Sequence, residues 1–389
     1  MKHKLADIGL SEMQAEMADL AARFCTEKSP IEKVRALLDS AQGYSESVWS
    51  EIAALGLTGI AVPSEFGGSG LGLGEVVPVV EQMGHTVLAG PYMDTILAAN
   101  AINTAASNRQ KQNWLPQICA GRTWALALSE PHGDWDLLNI TAEAIPSTSG
   151  FVLSGEKRLV CFADTADFIL VSVRCNGSHA FVILERNDIP NNALRRENII
   201  DETTRSYSLN LEGLTISADA LIQSDIGYRA FNDLHLSANL LNSALMVGGT
   251  KAALDLTIGY ANTRTQFGRP IGAYQAVKHP LVDAWIGYEK ARALLYSAAH
   301  NYNKEQAETA VRMARVKAET AFAFATDRAV QFHGATGFSY DCDAGLYRRR
   351  ALYCASKYGD AMFQKRKLAA LLFDEHAPKN KGEHRPALS

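Results

Sequence analysis

Hydrophobic positions change their period twice along the chain. Up to about residue 120 they recur at helical spacing. In residues 46–57 (ESVWSEIAALGL), Val48, Trp49, Ile52, Leu55 and Leu57 fall close to one face, and Gly56 stands late enough to end the helix. Pro63 and five glycines between Gly67 and Gly74 then mark a loop, and helical patterning resumes through EVVPVVEQMG until Gly84, Gly90 and Pro91 stop it. From about residue 121 to 232 the runs TWALALSE, GFVLSGEKRLVCF, DFILVSVR, HAFVILER and YSLNLEGLTI predict short strands. Turn signals at Pro131, Ser149 with Gly150, Asn176 with Gly177, and residues 187–190 separate them. That spacing leaves hardly any room for crossover helices, so an antiparallel sandwich or barrel is expected. Long helices return from about residue 232. The first runs through Leu254, Thr257 and Ile258 to a stop at residues 264–268, the second covers 275–300 despite Pro280, and the third covers 307–333.

The expected architecture is α+β: a helical domain over residues 1–120, a β-domain over 121–232, a helical bundle over 233–375, and a flexible tail over 376–389. A chain of 389 residues is long enough for two or three such domains. Hydrophobic residues make up 47% and charged residues 21%, the balance of a folded chain. With Lys+Arg at 38 against Asp+Glu at 42, no basic excess exists to neutralise a phosphate backbone, so nucleic acid is not an expected partner. No window offers the ~18 nearly uncharged apolar residues of a membrane span. The first residues lack the apolar core of a signal peptide, and a cytoplasmic location is expected. Cys25, Cys119, Cys161, Cys175, Cys342 and Cys354 are scattered without a CxxC pair, which predicts reduced, packed thiols and no metal site. The Gly-rich stretch at 67–74 lacks the Lys-Ser/Thr of a P-loop and reads as a helix–helix turn.

Three segments in order carry a family resemblance. WSEIAALGLTGIAVPSEFGGSGLGLGE (residues 49–75), TRTQFGRPIGAYQAVKH (263–279) and QFHGATGFS (331–339) resemble the acyl-CoA dehydrogenase signatures "W..la.lGl.gl.vPeeyGG.Gl", "tR.QFG.pi..fQ..kh" and "Q.hGg.Gy". The resemblance covers nearly the whole chain. It implies a C-terminal four-helix bundle, FAD at a dimer interface, an acyl-CoA substrate and transfer of electrons to an electron-transferring flavoprotein. It assigns cofactor contact to Arg264, Gln266, Phe267, Gln275, Gln331 and Gly334. A guanidinium and an amide at a helix end suit a pyrophosphate, Phe267 suits the adenosine side, and Gly268 lets the backbone turn closely.

Other segments depart from the family. The family's "TEPGAGSD" is SEPHGDWD here, so Ser129 keeps a cofactor-facing place while Trp135 replaces a serine. The family's "K.WITNG" is KRLVCFA, which puts Leu159 and Cys161 where the flavin-covering tryptophan and the hydrogen-bonding threonine stand. The "Y-E-G-T" that carries the usual glutamate base after "RDA" becomes a stretch with Tyr358, Gly359 and Asp360. The alternative base position, on the first bundle helix, falls in LHLSANLLNSALMVGG, which contains no acid.

The catalytic base is therefore not assigned. Asp341, Asp343, Tyr358 and Asp360 remain candidates, and Arg348, Arg349 and Arg350 could face a CoA phosphate or pair across the bundle. A monooxygenase-type relative of the same fold keeps a reactive histidine near the flavin; His333 is present here, but one histidine does not decide for that reading. Three readings follow. In the first, the chain is a partner subunit of a heteromeric (heterotetrameric) dehydrogenase of bulky, sterol-derived acyl-CoA esters. The second is a self-sufficient dehydrogenase with an unusual base, and the third a redox-inactive acyl-CoA-binding or assembly protein.

Overall fold

The computed structural model describes residues 9–223 and 227–373; the tail expected from residue 376 lies outside the described residues. In chain order the helices are α1 (Glu12–Lys28), α2 (Ile31–Ala36), α3 (Glu46–Ala54), α4 (Leu73–His85), α5 (Tyr92–Ala105), α6 (Asn108–Cys119), α7 (Gly227–Thr263), α8 (Gln275–Asn301), α9 (Ala307–His333), α10 (Ala335–Phe338), α11 (Asp343–Ser356) and α12 (Ala361–Phe373). Between α6 and α7 run β1 (Trp124–Ala127), β2 (Glu143–Ser147), β3 (Gly150–Ser154), β4 (Glu156–Cys161), β5 (Phe168–Cys175), β6 (Ser178–Glu185), β7 (Leu194–Glu197), β8 (Ser206–Asn210), β9 (Thr215–Ile216) and β10 (Leu221–Ile222). A two-stranded hairpin of β11 (Thr265–Gln266) and β12 (Arg269–Pro270) joins α7 to α8. Helices, then strands, then a helical bundle is the order that the hydrophobic periods predict.

Packing divides the described chain into two compact units. One holds residues 9–29, 73–87 and 239–373, so α1 and α4 belong with the C-terminal helices. Ser11 opens α1 with a capping box, accepting from Gln14 N–H at 3.1 Å while Gln14 Oε1 accepts from Ser11 N–H at 3.0 Å. Where α4 crosses α7 the backbones touch. A Cβ at Gly84 would lie 2.3 Å from the Leu245 carbonyl oxygen, and one at Gly248 would lie 1.8 Å from that of Glu81. The buried Glu81 then ties α4 to α8, accepting from Arg292 Nε at 3.0 Å and from the Tyr296 hydroxyl.

Residues 30–72 and 88–238 form the other unit, built on two sheets. The larger runs β10-β6-β5-β2-β3-β9 with β1 beside β5, and the smaller runs β4-β8-β7. Val160 and Leu209 of the smaller sheet share one apolar core with Ala127, Val171 and Val182 of the larger, the face-to-face arrangement of a sandwich. The ladders are antiparallel except where β1 lies parallel to β5 and β2 meets β5 at one pair. The β5–β6 hairpin turns on Asn176 and Gly177 at φ 50° and 79°, the pair of left-handed residues that a two-residue type I′ turn requires.

Candidate functional site

Two of the segments singled out by the sequence meet at one end of the helical unit. Tyr260, in the last turn of α7, stacks on His333 at the end of α9 with ring centroids 4.2 Å apart. Arg264 N–H donates to the Tyr260 carbonyl at 2.8 Å, and Ile271 N–H closes the hairpin on the Arg264 carbonyl at 2.9 Å. The stack joins the end of α7, from which the hairpin departs, to the end of α9, where Gln331 and Gly334 lie. Gln275 opens α8 a few residues beyond the hairpin. Arg264, Gln266, Phe267, Gln275, Gln331 and Gly334 are all exposed, and open space surrounds the position of a Cβ at Gly268 and at Gly334.

The hairpin tip is strained as well as exposed. Phe267 and Gly268 have φ of 51° and 81°. This is again a type I′ turn, but with phenylalanine where asparagine or glycine is favoured, a cost of roughly 1–2 kcal/mol for the L-residue. Phe267 is 91% exposed. His333 has no comparable freedom: it is buried, stacked on Tyr260, and its Nδ1 bonds the Ala329 carbonyl oxygen at 2.7 Å.

The turn between α11 and α12, where the base motif would fall, is held by buried polar groups. Arg315, wholly buried on α9, donates to the carbonyls of Cys354, Ala355, Lys357 and Gly359 at 2.9–3.4 Å. Asn239 and Gln364 both donate to the Tyr358 carbonyl, at 3.2 and 3.0 Å, and Arg312 fixes Gln364 at 2.6 Å. This network sustains Tyr358 at φ 61° with its side chain buried. Asp360 is exposed and caps α12, accepting from Phe363 N–H at 2.8 Å. Asp343 is the first residue of α11, and Asp341 is exposed just before it. Arg348 reaches across to α9, donating to the Ala323 carbonyl at 3.1 Å, while Arg349 lies over the Tyr340 ring at 5.1 Å.

In the sheet unit, Ser129 is buried beyond β1, and its carbonyl accepts from Arg158 N–H at 2.9 Å in an isolated bridge. Beneath that bridge lies a fully buried ion pair, Lys157 to Glu130 at 2.7 Å, with Lys157 also donating to Ser172 Oγ at 3.0 Å. Burial alone would raise the Glu130 carboxyl, but the Lys157 ammonium and hydrogen bonds from Lys157, Thr141 and Ala142 outweigh it and hold the group at about 2. A bulge follows in β4, where Leu159 takes φ 55° and gives its N–H to Glu197 Oε2 at 3.0 Å. The Cys161 side chain is buried, its sulfur 3.7 Å from the Leu159 carbonyl oxygen.

Residues 11–122 match the acyl-CoA dehydrogenase N-terminal domain and residues 235–370 the C-terminal domain of the same enzymes. The acyl-CoA dehydrogenase fadE12 of Mycobacterium bovis is 30% identical over 320 residues, covering 76% of this chain and 80% of its own. The chain belongs to the acyl-CoA dehydrogenase family. Its fold is also that of the ChsE4-ChsE5 complex from Mycobacterium tuberculosis, at a TM-score of 0.84 and 25% identity over 93% of this chain and 98% of the other. The steroid ACAD Tcur3481-Tcur3483 is similar at a TM-score of 0.84 and 27% identity, with the same coverage of 93% and 98%.

Membership makes this an oxidoreductase of a flavoprotein family, and the side chains can be tested against FAD in two halves. The helical end fits the nucleotide half in its chemistry: an arginine, three glutamine amides and an open glycine backbone are all exposed to solvent. The strand segment does not fit the ring half. Leu159 and Cys161 offer neither an aryl face nor a hydroxyl, and the Leu159 N–H and the Ser129 carbonyl are already engaged within the sheet unit. Among the described residues no helix is long and apolar enough to cross a membrane, and no group of His, Cys, Asp or Glu is placed to hold a metal. All six cysteines are free.

Sequence reasoning passed over Tyr274, the pairing of Glu130 with Lys157, and the Arg315 network. Tyr274 lay inside the quoted signature, at a place where the family motif has phenylalanine. The others gave no local signal, because their partners are distant in sequence.

Proposed function

We propose that the chain is the partner subunit of a heteromeric FAD-dependent acyl-CoA dehydrogenase that acts on a bulky, steroid-derived acyl-CoA ester. Arg264, Gln266, Phe267, Gln275, Gln331 and Gly334 hold the nucleotide end of a flavin whose ring lies in a second family chain, and that chain brings the carboxylate base. Ser129, buried and bridged, is a backbone support in this reading and not a ligand. The observation that carries the proposal is the contrast within one unit: the residues suited to a nucleotide are exposed, while the turn expected to carry the base holds buried Tyr358 and a helix-capping Asp360.

Bound FAD supplies the two-electron acceptor for α,β-dehydrogenation. This chain's part is to bind and orient it. The Arg264 guanidinium offers charge-assisted bonds to a pyrophosphate, worth roughly 1.5–3 kcal/mol each. Proton removal next to a thioester needs a desolvated carboxylate of suitable pKa, and neither solvated Asp341 nor Asp360 in its cap meets that need. The likeness to a two-chain complex and to a steroid ACAD supports the partner and the substrate class.

The test is to purify the chain alone and together with a second family member carrying the intact glutamate, then follow dye-coupled oxidation of steroid-side-chain acyl-CoA. Turnover is expected from the pair only. Full turnover by the lone chain refutes the assignment and makes Asp341→Asn the first variant to examine.

A further inference from the structure

The exposed hairpin is locked by a residue that belongs to neither of its strands. Tyr274, immediately before α8, points its hydroxyl back at the tip and shares its single proton between the carbonyl oxygens of Gln266 and Phe267, at 3.1 and 3.2 Å. The Phe267 ring meets the Tyr274 ring edge-on, with centroids 6.4 Å apart and planes at 88°. The Arg269 guanidinium covers Tyr274 at 4.2 Å from its centroid. A strained, solvent-exposed phenylalanine has no packing of its own to keep it at φ 51°. These contacts therefore select the tip conformation. The same residue precedes Gln275, so one side chain sets both the hairpin tip and the start of α8.

We infer that Tyr274 is a positioning residue. Its hydroxyl preorganises Gln266 and Phe267 for the nucleotide, so that binding FAD does not have to order a mobile tip. The inference rests on the cofactor reading above and deepens it. The hydroxyl is the feature at issue, since a phenylalanine at this place would keep the ring contacts and lose the shared bond to the two carbonyls.

The experiment compares the wild-type and Tyr274→Phe chains, each assembled with the flavin-bearing partner. Three quantities are measured: FAD dissociation, hydrogen–deuterium exchange of residues 264–271, and the melting temperature. Because the Tyr274 hydroxyl bonds only the tip of an exposed hairpin, the melting temperature is expected to stay unchanged. Exchange in the hairpin should quicken, and FAD should bind roughly 3–10-fold more weakly, the range for losing about one net hydrogen bond. Tyr274→Ala, which also removes the ring contacts, should lose more. Unchanged FAD affinity in Tyr274→Phe overturns the inference, whether or not exchange quickens, because the hydroxyl would then serve only the hairpin. A wild-type complex that holds no FAD is a different failure: it removes the cofactor reading and this inference together, and it is seen before any variant is made.

Discussion

Two hairpins in this molecule share one backbone turn and differ in nearly everything else. Asn176 and Gly177 turn β5 into β6 at φ 50° and 79°, and Phe267 and Gly268 turn β11 into β12 at 51° and 81°. The first uses the residue the turn prefers, continues an eight-pair ladder, and is braced by Arg174, whose guanidinium donates to the Gly177 carbonyl at 2.8 Å. The second has only two cross-strand pairs, an aromatic in the strained position and a tyrosine clamp from outside the hairpin. Where a turn only has to reverse the chain, residue choice follows backbone preference. Where an unfavourable residue persists and extra bonds hold it, the side chain is wanted in that place for something beyond the fold. The strand segment at Leu159 qualifies this rule. It is also left-handed and non-glycine, as is Tyr358, but both are held by the fold's own bonding: Leu159 N–H donates to Glu197, and Asn239 and Gln364 donate to the Tyr358 carbonyl.

The largest expected effect lies beneath the sheet that carries the first hairpin. Lys157→Met strands the Glu130 carboxylate in the core and should cost about 3–5 kcal/mol in chemical denaturation, leaving the second hairpin untouched. The same pair gives a pH signature. The Glu130 carboxyl sits at about 2 in the fold against an ordinary 4.5. Its stabilisation is therefore complete above pH 4.5 and is lost as the pH falls toward 2. Glu130→Gln should flatten the stability–pH curve in that window, and a curve of unchanged slope would show that the pair is not the cause. Next in size, Arg264→Gln should weaken FAD binding by the two-chain complex roughly 10–100-fold, in line with loss of charge-assisted bonds. Arg174→Gln at the other hairpin should leave FAD binding unaltered, and equal effects from the two would erase the distinction. Smallest are the exchanges of turn residue. Asn176→Phe should destabilise the sheet unit by about 1–2 kcal/mol, whereas Phe267→Asn should stabilise the lone chain by up to about 1 kcal/mol while weakening FAD binding.

Much of the fold was legible because it follows local pattern. Helix α9 spans the residues its period marks out, α8 runs through Pro280 as expected, and the turn at Asn176 and Gly177 is where its dipeptide predicts it. The strands β2 and β7 were not foreseen. Glu143–Ser147 contains a proline and exposes most of its residues, and Leu194–Glu197 has no buried position, so neither shows the alternation that marks a strand. The parallel pairing of β1 with β5 depends on contacts 44 residues apart, from Trp124 to Phe168, which no local pattern reports. At the candidate site the exposed motif was readable as a motif. The clamp on it was not, since a tyrosine hydroxyl declares its acceptors only after the chain has folded. The turn at Tyr358 shows the same limit: the missing acid was plain in the sequence, but the Arg315, Asn239 and Gln364 bonds that fix its backbone were not.

The central claim, that this chain lends nucleotide contacts to a flavin seated in another chain, is tested most directly by counting FAD. The purified chain should carry none, and its complex with a glutamate-bearing family member should carry one FAD per pair of chains. Two FAD per pair, or a full complement on the chain alone, would contradict the account.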